Sequence, residues 1–299
     1  MDRRDAIDLF AALLMIGLTF SWGLNGVAAK IAGTGFSPVF MTIARSAVAA
    51  LCVFLWCRWR GIGLFGSDGT LWPGLAAGFL FGAEFVLIFW GLDYTTVARS
   101  ALMVNTMPFW VLIGAHFMLG ERMSALKVCG TALAFCGVVL VFSDDLSLPD
   151  PSAIRGDIMC LVAGALWAAT TIVIKGSRLA TAGAEKVLLY QLVVSAVMTA
   201  PLLAVSGPAI REVTALATSA LLFQAIFVVA FTYLLWFWLV RRYPATGLTS
   251  FAFLTPAFGV LLGGLLLDEP LSLRIFVALA LIAIGLVIVN RPARRIPPA

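Results

Sequence analysis

The sequence predicts an all-α integral membrane protein: ten transmembrane helices built as two inverted five-helix repeats, with both termini in the cytoplasm. Three observations predict it: composition, the spacing of apolar runs, and the placement of basic residues. Of 299 residues, 62% are hydrophobic and 12% charged, and mean hydropathy is +1.05. A soluble domain is about 45–50% apolar and about a quarter charged. Folded soluble chains need polar residues to cover their outside, so composition excludes a secreted, nuclear or cytosolic globular protein.

Apolar runs of spanning length fall at 8–31, 38–57, 71–91, 97–119, 125–142, 155–175, 184–205, 216–241, 245–267 and 273–290. A crossing takes about 20 residues, so ten of them leave short loops and no room for a sizeable soluble domain. The first run follows a polar Met1–Asp8 and continues into Ser21-Trp22-Gly23-Leu24-Asn25, with no small-residue cleavage site. It reads as a retained span, not a signal peptide. Glycine and proline punctuate the connections, as in Gly33-Thr34-Gly35, Gly61-Ile62-Gly63 and Ser206-Gly207-Pro208. The longest polar stretch, Ser143 to Arg155, divides the chain into 1–145 and 146–299, five spans each.

With the N-terminus inside, fourteen of the twenty Lys and Arg fall at inner ends, including Arg3, Arg58, Lys175, Arg241 and Arg294. Five fall at outer ends (Lys30, Arg99, Arg155, Arg211 and Arg274), and Arg45 lies within a span. Such a bias at short loops sets orientation. It accounts for the net charge of +5 without a nucleic-acid partner. Cys52, Cys57, Cys129, Cys136 and Cys160 form no CxxC or Cys/His spacing, so no metal or cofactor is expected and the cysteines read as small packing residues.

The halves repeat. Met107-Pro108-Phe109 precedes Leu119-Gly120-Glu121, and Thr255-Pro256-Ala257 precedes Leu267-Asp268-Glu269; each proline stands 13 residues before its glutamate. From each glutamate to a glycine of the next span (Gly137, Gly285) is 16 residues. Trp22 pairs with Trp167, and Lys30 with Lys175, at an offset of 145. An odd number of spans per repeat turns the second half upside down, placing Glu121 inside and Glu269 outside. Inverted repeats mark secondary transporters, with the substrate site where the halves meet.

On Trp22-Gly23-Leu24-Asn25, the two Pro-to-Glu stretches and the glycine-rich fifth and tenth spans, the whole chain resembles the drug/metabolite transporter superfamily, EamA type. Within it the chain is most similar to aromatic amino acid exporters of the YddG type. The resemblance implies a multi-pass bacterial inner-membrane exporter. Spans 1, 3, 4, 6, 8 and 9 would line a central cavity, with spans 5 and 10 packed at one side.

Ionisable groups inside lipid are costly and therefore informative. Glu84 and Arg45 each lie about seven residues inside the outer ends of spans 3 and 2, equal depths that permit an ion pair. Two readings are open: Glu84 attracts a substrate ammonium or a proton, or Arg45 and Glu84 form a structural pair that positions helices. His116, the single histidine, reads as interfacial rather than as a proton relay. Asn25 shares a face of span 1 with Trp22, and Asn105 lies three residues before Pro108. Both amides are expected at the cavity, Gln191 and Gln224 in packing. Trp22 and Trp167 supply flat apolar walls, with Tyr94 and Tyr233 as further substrate-binding candidates. Pro108 and Pro256 are expected flex points. Trp56, Trp59, Trp72, Trp236 and Trp238 read as interfacial belts. Gly130, Gly137, Gly259, Gly263, Gly264 and Gly285 read as close-packing positions.

The pattern favours export of small amphipathic metabolites, aromatic or other amino acids foremost, with drugs or organic cations as the alternative. An intramembrane enzyme lacks a metal constellation or catalytic dyad, no P-loop is present, and no ring of filter groups points to a channel. The expected partners are a small-molecule substrate and the lipid bilayer. Oligomeric state is left open, a monomer among the options.

Overall fold

The computed structural model describes residues 4, 6–66, 68–143, 153–267 and 273–291. Asp268, Glu269, the midpoint loop 144–152 and the terminal Arg3, Arg294 and Arg295 lie outside the described residues. Among those described, the chain is helical, with one isolated bridge between Phe36 and Ile210.

The first helix, α1, is Leu9–Gly35, and the Asp8 carboxylate accepts from Ala11 N at 2.8 Å to cap it. Helix α2, Pro38–Arg60, starts at Ser37, whose hydroxyl accepts from Phe40 N. Proline suits its first turn, where no N–H is needed, and Gly61, at φ +65°, ends it. Helix α3 is Leu71–Leu92. The next span is interrupted: α4, Val97–Val104, gives way at Asn105-Thr106 to α5, Met107–Leu119. Helix α6 is Ala125–Val141, α7 Ala153–Gly176 and α8 Ala184–Thr199.

The eighth apolar run begins as α9, Ala215–Leu222, winds through a π-helical segment at Phe223–Thr232, and finishes as α10, Tyr233–Arg242. The ninth apolar run is also broken. Short α11, Ala245–Ser250, and a 3₁₀ turn at Phe251–Phe253 precede α12, Leu254–Leu267. Helix α13, Leu273–Val289, completes the described chain.

Eight of these stretches are long and apolar enough to cross a membrane, and Ala125–Val141 and Leu273–Val289 are shorter apolar helices. Both interruptions fall just ahead of a proline. Pro108 and Pro256 sit in the first turns of α5 and α12, where a missing N–H breaks no helical bond. The prolines therefore begin half-helices and do not kink continuous ones.

Packing follows glycine. A Cβ on Gly285 would lie 2.6 Å from the Gly130 carbonyl oxygen, and one on Gly137 2.8 Å from that of Ala278. Only glycine lets α6 and α13 approach this closely. Gly23 likewise lets α1 meet α12 at Gly259, and Gly78 seats α3 on Tyr190 and Val194 of α8. Helix α3 also packs on α7, whereas α2 packs on α8 and the π segment.

The described chain ends meet at one end of the bundle, hereafter the terminal face, where Ile7 and Asn290 both lie against Gly247. Arg4 N donates to Arg242 O at 2.8 Å, and the Tyr243 hydroxyl donates to the Asp8 carboxylate at 3.0 Å. The burial of α11 is anchored here. Glu121 Oε1 accepts from Ala245 N at 2.6 Å and Oε2 from Thr246 N at 3.2 Å. Lys175 lies 3.7 Å from the same carboxylate and donates to the Tyr243 carbonyl.

Candidate functional site

A cavity of about 260 Å³ opens between the two parts of the chain that meet across α1, α3, α7 and α10. This is near the lower end of small-molecule sites. Trp22 and Asn25 reach it from α1 and Arg45 from α2, while Phe81, Glu84, Phe85 and Ile88 form one wall from α3. Asn105 closes α4; Trp167, Thr170 and Thr171 come from α7, and Gln191 from α8. Tyr233, Trp236 and Phe237 of α10 and Thr255 of α12 complete the lining, and neither α6 nor α13 contributes.

The walls are aromatic and interlocked. The Trp22 indole N–H donates to Thr232 Oγ1 at 2.9 Å, leaving its rings to meet Trp236 and Tyr233 edge to face at 5.6 and 6.1 Å. Phe81 meets Phe85 and Tyr233 in the same way. Satisfying the one polar atom of Trp22 outside the cavity leaves an apolar surface within it.

Polar groups on this surface are under-satisfied. Glu84 Oε2, Asn25 Oδ1, Gln191 Oε1 and Thr255 Oγ1 are buried and have no hydrogen-bond partner among the described residues. Gln191 Nε2 donates to Val187 O at 3.3 Å, which fixes its oxygen as the unused end. Asn105 spends its amide on Ala101 O at 2.8 Å, closing the end of α4. Buried polar atoms without partners cost free energy, and four in one cavity mark a place where something else satisfies them.

Seven of the residues singled out from sequence (Trp22, Asn25, Arg45, Glu84, Asn105, Trp167 and Tyr233) meet at this cavity. Others require correction. Tyr94 lies in the turn beyond the end of α3, 46% exposed, and does not line the cavity. Gln191 is a lining residue and not packing; Gln224 is buried away from the cavity. Trp236 is 5% exposed and forms part of the wall. It and Trp238 are two positions apart, so on a helix they face opposite sides and cannot both lie in an interfacial belt.

Arg45 and Glu84 face the same cavity yet no ion pair joins them within 4 Å, although each feels the other's charge. Equal depth does not make an ion pair here: α2 and α3 each pack on α8, and Arg45 meets α3 at the Phe85 ring instead of at Glu84. His116 Nδ1 pairs with the Glu121 carbonyl oxygen at 3.2 Å, outside the cavity. Pro108 and Pro256 stand behind the lining at the two interruptions. Spans 2 and 7 contribute Arg45 and Gln191, beyond the six spans expected to line a cavity.

Of the α3 wall only Glu84 was singled out from sequence; Phe81, Phe85 and Ile88 were legible beside it, since the four recur at i, i+3, i+4 and i+7, one face of a helix. Thr170, Thr171 and Thr255 carry no comparable signal, since hydroxyls in spans bond the preceding turn as often as a ligand.

Two stretches, 9–143 and 154–291, match the EamA-like transporter family, and the chain belongs to that family. It is similar to "Uncharacterized transporter YoaV" of Bacillus subtilis, 24% identical over 91% of this chain and 94% of that one. It is also similar to the "Probable amino-acid metabolite efflux pump" of Escherichia coli, 25% identical over 96% of this chain and 95% of that one. A solved crystal structure at 19% identity covers 96% of this chain and 99% of its own with a TM-score of 0.84, which shows the fold. The family describes a multi-pass membrane transporter, not an enzyme.

Proposed function

We propose that this protein is a secondary transporter that exports small amphipathic metabolites, aromatic or other amino acids foremost. Within the family the reading places it nearest the aromatic amino acid exporters of the YddG type. Transport proceeds by alternating access between inverted five-span halves, 1–145 and 146–299, which make ten crossings of a bacterial inner membrane with the terminal face in the cytoplasm. The two matched stretches and the meeting of the chain ends support this arrangement.

One observation carries the substrate reading: an aromatic-walled cavity containing one acidic and one basic side chain. Opposite charges on an apolar surface suit a zwitterion with an apolar side chain. Glu84 attracts its ammonium, and the aromatic rings receive the rest. The interruptions ahead of Pro108 and Pro256 are where the halves flex, as in other transporters with broken helices.

Uptake of labelled amino acids, nucleosides and cationic drugs into proteoliposomes, with and without a proton gradient, tests the class. Saturation and counterflow for an amino acid are expected; linear, non-saturating flux defeats the carrier reading. Glu84→Gln should lower amino acid transport about tenfold or more, the scale of a lost charge-assisted bond. A wild-type rate at unchanged folded yield removes Glu84 from the substrate path.

A further inference from the structure

An arginine inside a membrane span is expensive and finds partners. Its planar guanidinium carries five N–H donors and never loses its charge. Arg45 is partly buried at the cavity. Among the described residues it makes no hydrogen bond and no ion pair. The Phe85 ring centroid lies 4.5 Å from its guanidinium carbon.

A guanidinium stacked over a ring keeps its N–H donors in its own plane, open to other partners. Phe85 directly follows Glu84 in sequence, so the ring that holds Arg45 is mounted beside the carboxylate it would otherwise join. The two charges share a cavity and are kept apart.

We propose that Arg45 is the carboxylate anchor of the transported molecule, so that the cavity selects amino acids over amines and organic cations of the same shape. This rests on the exporter reading above. The planar fork of arginine matches a carboxylate in bidentate geometry. The ammonium of the same molecule then meets acceptors that lack donors: Glu84 Oε2, Asn25 Oδ1 and Gln191 Oε1. Both cavity charges are thereby balanced by one neutral ligand. A phosphate would leave excess negative charge beside Glu84. An organic cation would satisfy Glu84 but leave Arg45 unpaired and repelling it. Arg45 thus moves from a structural residue to one that determines specificity, and the drug-exporter alternative is disfavoured on this residue alone.

The test compares two pairs in proteoliposomes holding the full chain: phenylalanine with phenethylamine, and leucine with isoamylamine. Each amine keeps the side chain and ammonium of its partner and lacks only the carboxylate. The wild type should show KM values at least about tenfold lower for the amino acids, the scale of a charge-assisted bidentate bond. Arg45→Gln should raise the amino acid KM about tenfold or more with kcat little changed, and leave the amines unaffected or improved. Arg45→Lys, which keeps the charge and loses the fork, should fall between. Equal KM values for acid and amine in the wild type, or loss of both compounds in the same proportion in Arg45→Gln, overturns the assignment. If Arg45→Gln does not fold, the wild-type ratio and Arg45→Lys decide. Absence of saturable flux for every amino acid sinks the exporter reading itself; saturable flux without discrimination sinks only the role of Arg45.

Discussion

The two interrupted spans occupy equivalent places in the chain, yet different forces hold them. Both break just before a proline, and both put a short half-helix ahead of the break. Helix α11 is buried along its length, and its first two N–H groups are capped by a carboxylate from α5's far end, Glu121, which also faces buried Lys175. Helix α4 is capped locally, by its own Thr96 hydroxyl accepting from Arg99 N at 3.3 Å. It docks on α7 through Arg99 and Thr95, both on Asp157. The N–H groups that open one half-helix are capped from across the molecule; those of the other are capped by the adjoining residue, although its Arg99 is tied to α7. A shared sequence pattern therefore specifies the break, while the fastening is left to individual side chains.

The sharpest way to break this comparison is Glu121→Ala. It removes both caps from α11 and the carboxylate 3.7 Å from Lys175, which is 9% exposed. A weakened buried charge pair and a lost cap together should cost about 3 kcal/mol, read as a lowered Tm in detergent. A fall of less than about 1 kcal/mol would show that burial alone holds α11. Next in size is Thr96→Ala, which removes only a local N-cap and should cost about 1 kcal/mol in the same measurement. An effect equal to that of Glu121→Ala would erase the distinction between the two spans.

The smallest effect belongs to Asp68→Asn, on the same face as Glu121, in an ion pair whose carboxylate is 47% exposed and whose lysine is buried. Asp68 accepts from Lys186 at 2.8 Å and from the Thr70 hydroxyl at 2.6 Å. The Lys186 bond above all, then Thr70, holds its carboxyl well below the usual carboxylate range. A depressed carboxyl contributes stability that is present above its unfolded value of about 3.9 and lost as pH falls through the folded value. The Tm of wild type and Asp68→Asn should therefore run parallel at neutral pH and converge below about pH 4. Because the Asp68 carboxylate is half-exposed and solvent screens it, and Asn keeps an acceptor oxygen for Lys186, their separation should be the least of the three. A larger separation would mean that charge as such, and not capping across the molecule, stabilises this end.

Much of the architecture was legible because lipid imposes simple rules. Apolar runs and Pro and Gly punctuation anticipated the helices to within a few residues, and the glycines of α6 and α13 announced their close packing. Cavity residues were legible where rarity marked them: a lone acid and a lone base in spans, paired tryptophans, an amide beside a proline. What escaped depended on neighbours. The shared depth of Arg45 and Glu84 permits a pair, but depth says nothing about which side chain of α3 Arg45 meets, and it meets Phe85. Gln191 and Gln224 have the same chemistry and similar surroundings in sequence, and only packing sends one to the cavity. Tyr94 was placed on a helix that stops two residues earlier. Trp236 was assigned to a belt with Trp238 because neighbouring positive charges suggest an interface, although helical geometry separates the two.

The π segment has a consequence for that last residue. A π turn takes more residues per revolution than an α turn, so everything after Phe223–Thr232 is rotated relative to an uninterrupted helix. The angular phase of α10, which presents Trp236 and Tyr233 to one side and Trp238 to the other, is therefore set by the backbone winding of the ten residues directly before it. Rewinding that stretch as an α-helix would swing the whole aromatic face of α10 as a unit, with no side chain altered.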